Sequence, residues 1–449
     1  MSSQSAKLLP NNRLNTLLDQ LYGLHPKLID LSLDRVERFL NELGNPHLKL
    51  PPVIHVAGTN GKGSTIAALR AILEAHGKTC HVATSPHLLR INERIVVAGE
   101  EIDDGTLADL IEECLAKNKG QNITFFEMIM CITFLTFSRT PADFCLLETG
   151  MGGRLDATNV VPEPIATIIT TISKDHQDFL GSTLSKIAAE KAGIIKADTP
   201  CILGKQTEEA IEAGVIDTIC SKALSTNAAL HQFGSDWSVE PMQDRFYYQD
   251  GKVRYDLPYP ALIGSHQIYN TGSAIAACRV IPNFELDAEK LSTAMGQMHW
   301  PGRLQKLDHK GFDGITGTDW QIWLDGGHND SAGRVLAQQI DRWTTDDDTK
   351  KVHIIMGMMT RKNPLEFIEL FVSKITSITC IPVDSEENSY TPSELSEIIE
   401  PTSNAPVLMS ETVQEAIDGI LNQFPQPSII LITGSLYLAG QVLSEHNVP

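Results

Sequence analysis

The sequence predicts an α/β protein built from two doubly wound, mainly parallel domains. Short apolar runs typical of buried strands alternate with helix-like stretches over most of the 449 residues, which is the pattern of consecutive β-α-β units. The length also exceeds what a single hydrophobic core usually organises. Trp300-Pro301-Gly302-Arg303 interrupts the alternation, so we place a linker at 300–303, a first domain at 1–299 and a second domain at 304–449.

The first domain is expected to contain one doubly wound sheet, with strands at Val53–Ala57, His81–Ala83, Phe144–Leu147, Ile165–Thr171 and Cys201–Leu203. Helices are predicted at Ser64–Ala75, Asp104–Ala116, Phe126–Phe137, Leu184–Ile194, Glu208–Leu224, His266–Val280 and Ala288–Met298. The segment from Trp237 to Tyr259 is rich in aromatic and polar residues and contains Gln249-Asp250-Gly251-Lys252 as a hairpin turn. A small antiparallel excursion is therefore expected there.

The second domain is expected to be a smaller, Rossmann-like α/β unit, with strands at Gln321–Leu324, Val352–Met356, Ile378–Pro382, Val407–Met409 and Ile429–Thr433. Helices are expected between these strands, because parallel neighbours need a crossover connection. Thr344–Lys351 is dense in aspartate and threonine and is predicted to be a solvated loop.

The charge balance excludes several classes of partner. The chain has 36 basic and 56 acidic residues, a formal net charge of −20, and no basic tail or patch. Neither nucleic acid nor an anionic membrane is therefore expected as a partner. The longest apolar run, Met128–Phe137, is about half as long as a membrane span, and we interpret it as a buried helix. The N-terminus is polar and has no apolar signal region.

The cysteines indicate a reducing compartment. They are Cys80, Cys114, Cys131, Cys145, Cys201, Cys220, Cys278 and Cys380. They form no C-x-x-C pair and have no histidine at metal-binding spacing, so we interpret them as reduced thiols of a cytoplasmic protein. No long apolar heptad repeat is present, and a monomer is expected.

The most informative segment is His55–Thr65, where an apolar strand runs directly into the glycine-rich turn Gly58–Ser64. Glycines let backbone N–H groups face anionic oxygens, the following helix presents its positive end, and Lys62 can reach the outer phosphates of a nucleotide. The turn departs from G-x-x-x-x-G-K-[ST], because Val56 and Gly63 stand where that pattern has a glycine and a hydroxyl. It predicts a P-loop-type phosphate cradle, with an ordinary glycine-rich turn as the alternative.

Two further strand ends carry side chains that suit a metal. Glu148 ends an apolar strand before the glycine-rich loop 149–153, and His176 follows the strand Ile165–Thr171. Ligands bind at the carboxyl ends of strands in doubly wound folds, so Glu148 is placed to hold Mg²⁺ together with phosphate and water oxygens. Alternatively, Glu148 is a solvated carboxylate or an ion pair and His176 an ordinary surface or core histidine. Because the motifs that contain Lys62 and Glu148 are expected on neighbouring strands, we favour a metal site over these alternatives.

Ser85 and Asp325 are weaker candidates. Ser85 lies in the loop after the second strand and could ligate metal through its hydroxyl, or could cap a turn before Pro86. Asp325 ends a strand of the second domain and could accept hydrogen bonds from ribose or adenine. An ordinary Asp-Gly turn explains Asp325 equally well.

Seven motifs occur in the order found in a known superfamily: Gly58–Ser64, Thr84–Leu88, Glu148–Asn159, Asp175–Gly181, Glu190–Ile194, Pro301–Arg303 and Asp325–Asn329. Together they resemble the Mur ligases, with the closest resemblance to the folylpolyglutamate synthase/dihydrofolate synthase family. The resemblance implies an ATP-dependent ligase that joins glutamate to dihydropteroate and adds γ-linked glutamates to reduced folates through an acyl phosphate. It also implies ATP, L-glutamate and the pterin acids as small-molecule partners, two Mg²⁺ sites, and K⁺ as a further candidate.

The resemblance assigns roles to residues, motif by motif. The triphosphate cradle would be Thr59, Asn60, Gly61, Lys62, Gly63 and Ser64, and the Mg²⁺ ligands would be Ser85, Glu148 and His176. The nucleotide would also be contacted by Asn270, Arg303 and Asp325, the last two from the linker and the second domain. The pterin substrate would meet Leu28, Ile29, Asp30, Leu31, Thr124, Phe125, Phe126, Glu127 and Leu155. Lys191 matches a lysine that becomes carbamylated in the family and, with Lys62 and His176, completes the expected catalytic set.

One motif departs from the family, since Asp325-Gly326-Gly327-His328-Asn329-Asp330 stands where Asp-x-Ala-His-Asn-Pro is usual. The compact length and the segment Ile29-Asp30-Leu31 favour the bacterial bifunctional type. Two alternatives stay open. A Mur ligase acting on a peptidoglycan nucleotide precursor usually has an extra N-terminal domain, for which a cradle starting near residue 55 leaves little room. A P-loop kinase or regulatory protein would use ATP without requiring both glutamate and a pterin acid.

Overall fold

The computed structural model describes residues 12–24, 30–346, 350–384 and 388–446. These residues fall into two compact units. The larger unit contains the described residues up to Ala261 together with Gln267–His299. The smaller unit contains Leu262–His266 and the described residues from Trp300 onward.

An eight-stranded sheet forms the centre of the larger unit. Its strands are β1 (Val53–Ala57), β2 (Cys80–Ala83), β3 (Ile95–Val97), β4 (Glu100–Glu101), β5 (Phe144–Glu148), β6 (Ala166–Ile169), β7 (Cys201–Leu203) and β8 (Leu230–Gln232). The spatial order is β4-β3-β2-β5-β1-β6-β7-β8. β3 pairs antiparallel with both of its neighbours, and the other strands pair parallel. Every residue of β1 and β5 is buried, as expected for parallel strands covered on both faces.

The five strands predicted for this part of the chain are confirmed, with ends that differ by no more than two residues. The helices of the larger unit are α1 (Asn12–Tyr22), α2 (Asp34–Glu42), α3 (Lys62–Ala75), α4 (Asp104–Asn118), α5 (Phe125–Arg139), α6 (Gln177–Leu180), α7 (Leu184–Lys191), α8 (Glu208–Glu212), α9 (Val215–Ser225), α10 (Gln267–Val280) and α11 (Ala288–Gln297). α5 buries every residue from 128 to 137, so the longest apolar run is a buried helix, as predicted.

The single helix predicted at Glu208–Leu224 is wrong. Gly214 adopts a φ of 75° between α8 and α9, a left-handed conformation that interrupts a right-handed helix and that glycine adopts without a steric penalty. The Gly214 carbonyl then accepts a hydrogen bond from the Thr218 N–H at 3.1 Å, which starts α9 as a separate helix.

The antiparallel excursion is confirmed as a three-stranded sheet of β9 (Trp237–Pro241), β10 (Arg245–Asp250) and β11 (Arg254–Pro258), in the order β11-β10-β9. Asp250 Oδ1 accepts hydrogen bonds from the backbone N–H groups of Lys252 and Val253 at 2.8 and 3.0 Å. The aspartate side chain therefore organises the predicted hairpin turn.

A six-stranded sheet forms the centre of the smaller unit. Its strands are β12 (Gln305–Leu307), β13 (Gln321–Leu324), β14 (Val352–Met356), β15 (Ser377–Cys380), β16 (Val407–Met409) and β17 (Ile429–Thr433), in the order β12-β13-β17-β14-β15-β16. Only the β12–β13 pair in this sheet is antiparallel. The helices are α12 (Asp330–Asp346), α13 (Pro364–Ile368), α14 (Pro392–Ile399), α15 (Val413–Gln423) and α16 (Leu436–Glu445). The second, smaller α/β sheet is thus confirmed.

The loop predicted at Thr344–Lys351 is wrong in its first part. α12 continues to Asp346, and Thr344 Oγ1 donates to the Ile340 carbonyl at 3.0 Å. This bond reaches back one turn along the helix and lets a short polar side chain remain helical. Residues 347–349 lie outside the described ranges. Across the described ranges, no helix combines the length and the apolarity that crossing a bilayer requires.

Candidate active site

Three adjacent strands bring the principal motifs to one edge of the larger sheet. β1 lies between β5 and β6, and the parallel register pairs Val56 with Glu148 on one side and with Ile168 on the other. The cradle follows β1, Glu148 is the last residue of β5, and His176 follows β6. Parallel strands have their carboxyl ends at the same edge of a sheet. The prediction that the ends of these three strands lie next to one another is therefore confirmed.

The cradle packs tightly against the segment that follows β6. Gly58 adopts a φ of 155°, and a Cβ atom placed on it would overlap the Thr170 side chain. Thr170 Oγ1 donates to the Asn60 carbonyl at 2.8 Å. Thr59 Oγ1 donates to the Ser173 carbonyl at 3.0 Å and accepts from the Ser173 N–H at 3.1 Å. Side chains on both segments thus fix the backbone of the cradle.

Gly61 ends the cradle in a left-handed conformation, with a φ of 88°, immediately before α3. A Cβ atom on Gly61 would lie 2.5 Å from Asn270 Oδ1. Asn270 is buried and donates its Nδ2 to Gln267 Oε1 at 3.0 Å, so Gln267 orients the amide that faces Gly61. Gln267 was not among the site residues predicted from the sequence. The first turn of α3 contains Lys62, Gly63 and Ser64, and the positive end of this helix favours an anion.

Two lysine side chains meet at one carbonyl oxygen of the cradle. Lys62 Nζ donates to the Gly58 carbonyl at 3.2 Å and to the Thr59 carbonyl at 3.3 Å. Lys191 Nζ, at the end of α7, donates to the same Gly58 carbonyl at 2.8 Å. Burial, and then the nearby Lys62 ammonium, lower the pKa of Lys191 to about 7, against the opposite influence of Asp175 and Asp156. A large fraction of this amine is therefore unprotonated near neutral pH.

Glu148 connects the cradle to the loop of Ser85. Its side chain is 6% exposed, and its Oε1 lies 3.9 Å from Lys62 Nζ. Glu148 Oε2 accepts a hydrogen bond from the Ser85 backbone N–H at 3.1 Å. The loop is held rigidly in turn, because the Glu93 carboxylate accepts bonds from three consecutive backbone N–H groups at 88–90. The structure therefore brings Lys62, Glu148 and Ser85 together.

His176 is placed beside this group through the backbone. It has a φ of 49° and precedes α6, three residues after Ser173, which bonds to the cradle. Its ring is 40% exposed, and its Nε2 lies 3.9 Å from Asp175 Oδ1. The structure therefore places His176 at the same edge of the sheet as Glu148, and its role as a metal ligand stays a prediction.

The donor set suits Mg²⁺ only if phosphate and water oxygens complete it. In the described part of the chain, no three His, Cys, Asp or Glu side chains cluster closely enough to hold a metal ion. Mg²⁺ usually takes one or two protein carboxylates together with phosphates and water. Glu148, buried beside the predicted phosphate cradle, meets that requirement, with Ser85 and His176 as further predicted ligands.

The glycine-rich loop after Glu148 is anchored from within. The Asp156 carboxylate accepts hydrogen bonds from the Met151 N–H at 2.8 Å and from the Thr158 N–H at 3.0 Å. Thr158 Oγ1 lies 2.8 Å from His55 Nε2, which connects the loop to β1. Burial raises the pKa of the Asp156 carboxyl. Leu155, the predicted pterin contact in this loop, is partly exposed.

The segments predicted to receive the pterin meet at the start of α5. Thr124 and Glu127 form a capping box, with the Glu127 N–H donating to Thr124 Oγ1 and the Thr124 N–H to Glu127 Oε2. The Phe125 ring stacks on Tyr22 with 4.1 Å between centroids, and the Phe126 ring lies against Gly150. The partly exposed residues Asp30 and Leu31 complete the predicted set, whereas Leu28 and Ile29 lie outside the described residues.

Asp325 and Arg303 lie in the smaller unit. Asp325 is buried, and its carboxylate accepts hydrogen bonds from the Leu304 N–H at 2.9 Å and the Gly327 N–H at 2.8 Å. Burial raises the pKa of Asp325, and the Arg303 guanidinium opposes that shift. The turn-stabilising role left open for Asp325 is present. Its contact with a nucleotide, and that of Arg303, stay predictions.

Comparisons with known proteins agree on one family. A model of the Mur ligase middle domain matches residues 56–278, and a model of the dihydrofolate synthetase C-terminal domain matches residues 305–445. The chain is 30% identical over 437 residues to the dihydrofolate synthetase of Saccharomyces cerevisiae, covering 93% of this chain and 98% of that protein. It is 31% identical over 425 residues to the folylpolyglutamate synthase of Lacticaseibacillus casei, covering 91% and 92%.

Solved structures give the same result. Escherichia coli FolC in complex with DHPP and ADP matches with a TM-score of 0.84 and 28% identity, over 96% of both chains. A bifunctional folylpolyglutamate synthase/dihydrofolate synthase with Mn, AMPPNP and L-glutamate bound matches with a TM-score of 0.82 and 26% identity, over 96% of this chain and 97% of that one. The chain therefore belongs to the folylpolyglutamate synthase/dihydrofolate synthase family of Mur ligases.

Proposed function

We propose that the protein is an ATP-dependent ligase that joins glutamate to dihydropteroate and adds γ-linked glutamates to reduced folates. The observation that carries the proposal is the convergence of Lys62 and Glu148 at a glycine cradle that begins a helix. This arrangement suits a nucleotide triphosphate and its metal. The similarity to dihydrofolate and folylpolyglutamate synthases over more than nine-tenths of the chain supports the choice of acid and amine.

The chemistry requires activation of a carboxylate. A carboxylate oxygen of the pterin acid attacks the γ-phosphorus of ATP, the bond to the β-phosphate oxygen breaks, and ADP leaves. The amine of glutamate then attacks the acyl carbon, inorganic phosphate departs with the carbon–oxygen electron pair, and the nitrogen loses a proton. Lys62, at the start of α3, would offset the charge on the transferred phosphoryl oxygens. Mg²⁺, held by Glu148 with Ser85 and His176, would supply further charge compensation.

Lys191 is proposed to act as a carbamate. The unprotonated lysine amine adds to CO₂, forms a nitrogen–carbon bond and releases one proton, so that a neutral amine becomes an anion. Starting from the ammonium form, two protons are released. The pKa of about 7 and the burial of Lys191 support this modification. The anion would then face the Lys62 ammonium, since both amines contact the Gly58 carbonyl.

The remaining assignments follow the family. Thr59, Asn60, Gly61, Gly63 and Ser64 are proposed to surround the triphosphate. Asn270, Arg303 and Asp325 are proposed to contact the nucleotide, residues 1–299 to carry ATP and the pterin acid, and residues 304–449 to form the glutamate ligase domain. A second Mg²⁺, a K⁺ ion, a monomeric state and a cytoplasmic location belong to the same proposal.

A product assay tests the proposal. Purified protein is incubated with ATP, Mg²⁺ and L-glutamate, once with dihydropteroate and once with tetrahydrofolate, and the products are separated by mass. Products with both acceptors are expected for a bifunctional enzyme, and a product with one acceptor identifies a monofunctional enzyme. The absence of product with both acceptors, in a protein that binds ATP, would overturn the proposal. The variant Lys62→Ala is expected to lose nearly all turnover.

A further inference from the structure

Arg35, in the first turn of α2, joins two segments that are distant in the sequence. Its guanidinium donates Nε to Glu127 Oε2 at 3.0 Å and Nη2 to Glu127 Oε1 at 2.8 Å. On its other side, Nη1 donates to Asp30 Oδ2 at 3.0 Å and Nη2 to the Asp30 carbonyl at 2.5 Å. Four donors of one planar group thus connect Asp30 to Glu127. Charge-assisted, paired hydrogen bonds of this kind fix geometry as well as supply energy.

The two carboxylates differ in environment. The Glu127 side chain is 5% exposed and also caps α5 through the Thr124 N–H. The Asp30 side chain is 39% exposed. A buried carboxylate needs a counter-charge, and Arg35 provides it for Glu127. Arg35 also holds the more accessible Asp30 beside the N-terminus of α5.

The two segments that Arg35 joins are those to which the proposed function assigns the pterin, Asp30–Leu31 and Thr124–Glu127. The aromatic side chains of this region are fixed separately, because Phe125 stacks on Tyr22 and the Phe126 ring lies against Gly150. A pterin has flat apolar faces and N–H donors along one edge. Aromatic rings and an oriented carboxylate match those features. A carboxylate can accept about four hydrogen bonds, so the ion pair between Asp30 and Arg35 is compatible with a further hydrogen bond from a pterin N–H group.

We propose that Arg35 is a positioning residue for the pterin acid. By holding the Asp30 carboxylate and backbone against the start of α5, it sets the affinity for dihydropteroate and reduced folates and leaves the affinity for ATP unchanged. The inference rests on the proposed function, because it requires a pterin acid as substrate.

The shape of the guanidinium matters as much as its charge. Arg35 uses three nitrogen atoms to reach two carboxylate oxygens on one side and a carboxylate and a carbonyl oxygen on the other. A lysine ammonium has all its donors on one nitrogen and cannot span both partners. The variant Arg35→Lys keeps the charge near Glu127 and is therefore expected to fold, but to release Asp30.

Arg38 provides a matched control on the same helix. It pairs with Glu42 at 2.9 Å and reaches across to Asn118 Oδ1 at 3.1 Å and the Asn122 carbonyl at 3.4 Å. Arg38 therefore also connects α2 to a distant segment, but its partners are not among the residues assigned to the pterin. A general loosening of α2 would affect the Arg35 and Arg38 variants alike.

The experiment compares the full-length wild type with Arg35→Lys, Arg35→Gln, Arg38→Gln and Asp30→Asn. Steady-state KM values are measured for dihydropteroate, ATP and glutamate, and dihydropteroate binding is titrated without ATP. Loss of charged hydrogen bonds predicts a KM for dihydropteroate raised by about tenfold or more in both Arg35 variants and in Asp30→Asn. The KM for ATP is expected to stay within about twofold of wild type in every variant, and Arg38→Gln to leave both values within that range.

Three results would overturn the inference. They are an unchanged KM for dihydropteroate in Arg35→Lys, an equal rise of the KM values for dihydropteroate and ATP, and the same rise in Arg38→Gln. If Arg35→Gln fails to fold, Arg35→Lys and Asp30→Asn still test the inference. Asp30→Asn is expected to fold because Asp30 lies at the exposed end of the Asp30–Arg35–Glu127 network. Failure of the proposed function is a separate outcome, since the wild type would then neither bind nor convert dihydropteroate.

Discussion

Lys191 is a buried amine that burial and the Lys62 ammonium hold at a pKa of about 7, well below the usual 10.5. At about pH 7.5, an ordinary lysine is about 0.1% unprotonated, whereas an amine with a pKa of about 7 is roughly three-quarters unprotonated. Since only the neutral amine adds to CO₂, the reactive fraction rises by roughly several hundredfold. We therefore expect Lys191 to take up CO₂ selectively, with labelling that increases through about pH 7.

Carbon-13 NMR with labelled bicarbonate measures this directly, because a carbamate carbon is distinct from those of bicarbonate and CO₂. One carbamate signal is expected in the wild type and in Lys186→Met, and none in Lys191→Met. Lys186 is the matched control, since it is an exposed lysine on the same helix. A signal that persists in Lys191→Met, or a labelling midpoint near pH 10, would refute the reasoning.

The contribution of Lys62 can be separated from that of burial. The two amines lie 3.2 and 2.8 Å from the same carbonyl oxygen, so no more than about 6 Å separates them. At about 6 Å and an effective dielectric constant of about 20, two like charges repel by about 3 kcal/mol. The variant Lys62→Met is therefore expected to move the labelling midpoint upward by about two pH units. A midpoint that does not move would assign the lowered pKa to burial alone.

Three further predictions concern the rest of the site. Gly61→Ala is expected to weaken ATP binding by about tenfold or more. The control Gly77→Ala, at a glycine with a similar positive φ and no close neighbour, should only lower the free energy of unfolding by about 1 kcal/mol. Equal ATP affinities of the two variants in titration calorimetry would contradict this expectation. Glu148→Gln is expected to raise the half-saturating Mg²⁺ concentration for product formation by about tenfold or more, and an unchanged Mg²⁺ titration would remove Glu148 from the metal site. Asp325→Asn replaces one of two accepting oxygens by an amide and should lower the free energy of unfolding by about 1–3 kcal/mol in urea titrations, an expectation that wild-type stability would disprove.

The unmodified form of Lys191 also determines how stability depends on pH. Between about pH 7 and pH 10.5 the unfolded chain binds more protons at this residue than the folded chain does. The contribution of Lys191 therefore makes the free energy of unfolding rise with pH across that interval in CO₂-free buffer.

The central strands of the larger sheet could be predicted from the sequence, whereas its edge strands could not. β1, β5, β6 and β7 are short apolar runs whose residues are all buried, so hydrophobicity alone predicts them. β4 is fully exposed and β8 is only partly buried. Such edge strands form because a neighbour offers hydrogen bonds, and their own side chains carry little information about it.

The candidate site divides in the same way. The cradle and Glu148 were predictable, because each stands where an apolar strand ends. The connections between them were not, because the partners are far apart in the sequence. Lys191 meets the Gly58 carbonyl across 133 residues, and Arg35 meets Glu127 across 92. Nothing in the local pattern of a lysine at a helix end or an arginine near a helix start indicates a partner at that distance.

Long-range contacts also explain how the irregular glycine-rich turn Gly58–Ser64 keeps a fixed shape. The turn departs from the strict spacing of a P-loop, and three residues outside it replace what its own sequence lacks. Thr170 bonds to the Asn60 carbonyl, Ser173 bonds to Thr59, and Asn270 faces Gly61. These contacts come from the segment after β6 and from α10. The same segment continues to His176, a predicted metal ligand. We therefore expect phosphate binding at the cradle and metal binding to be coupled through the backbone.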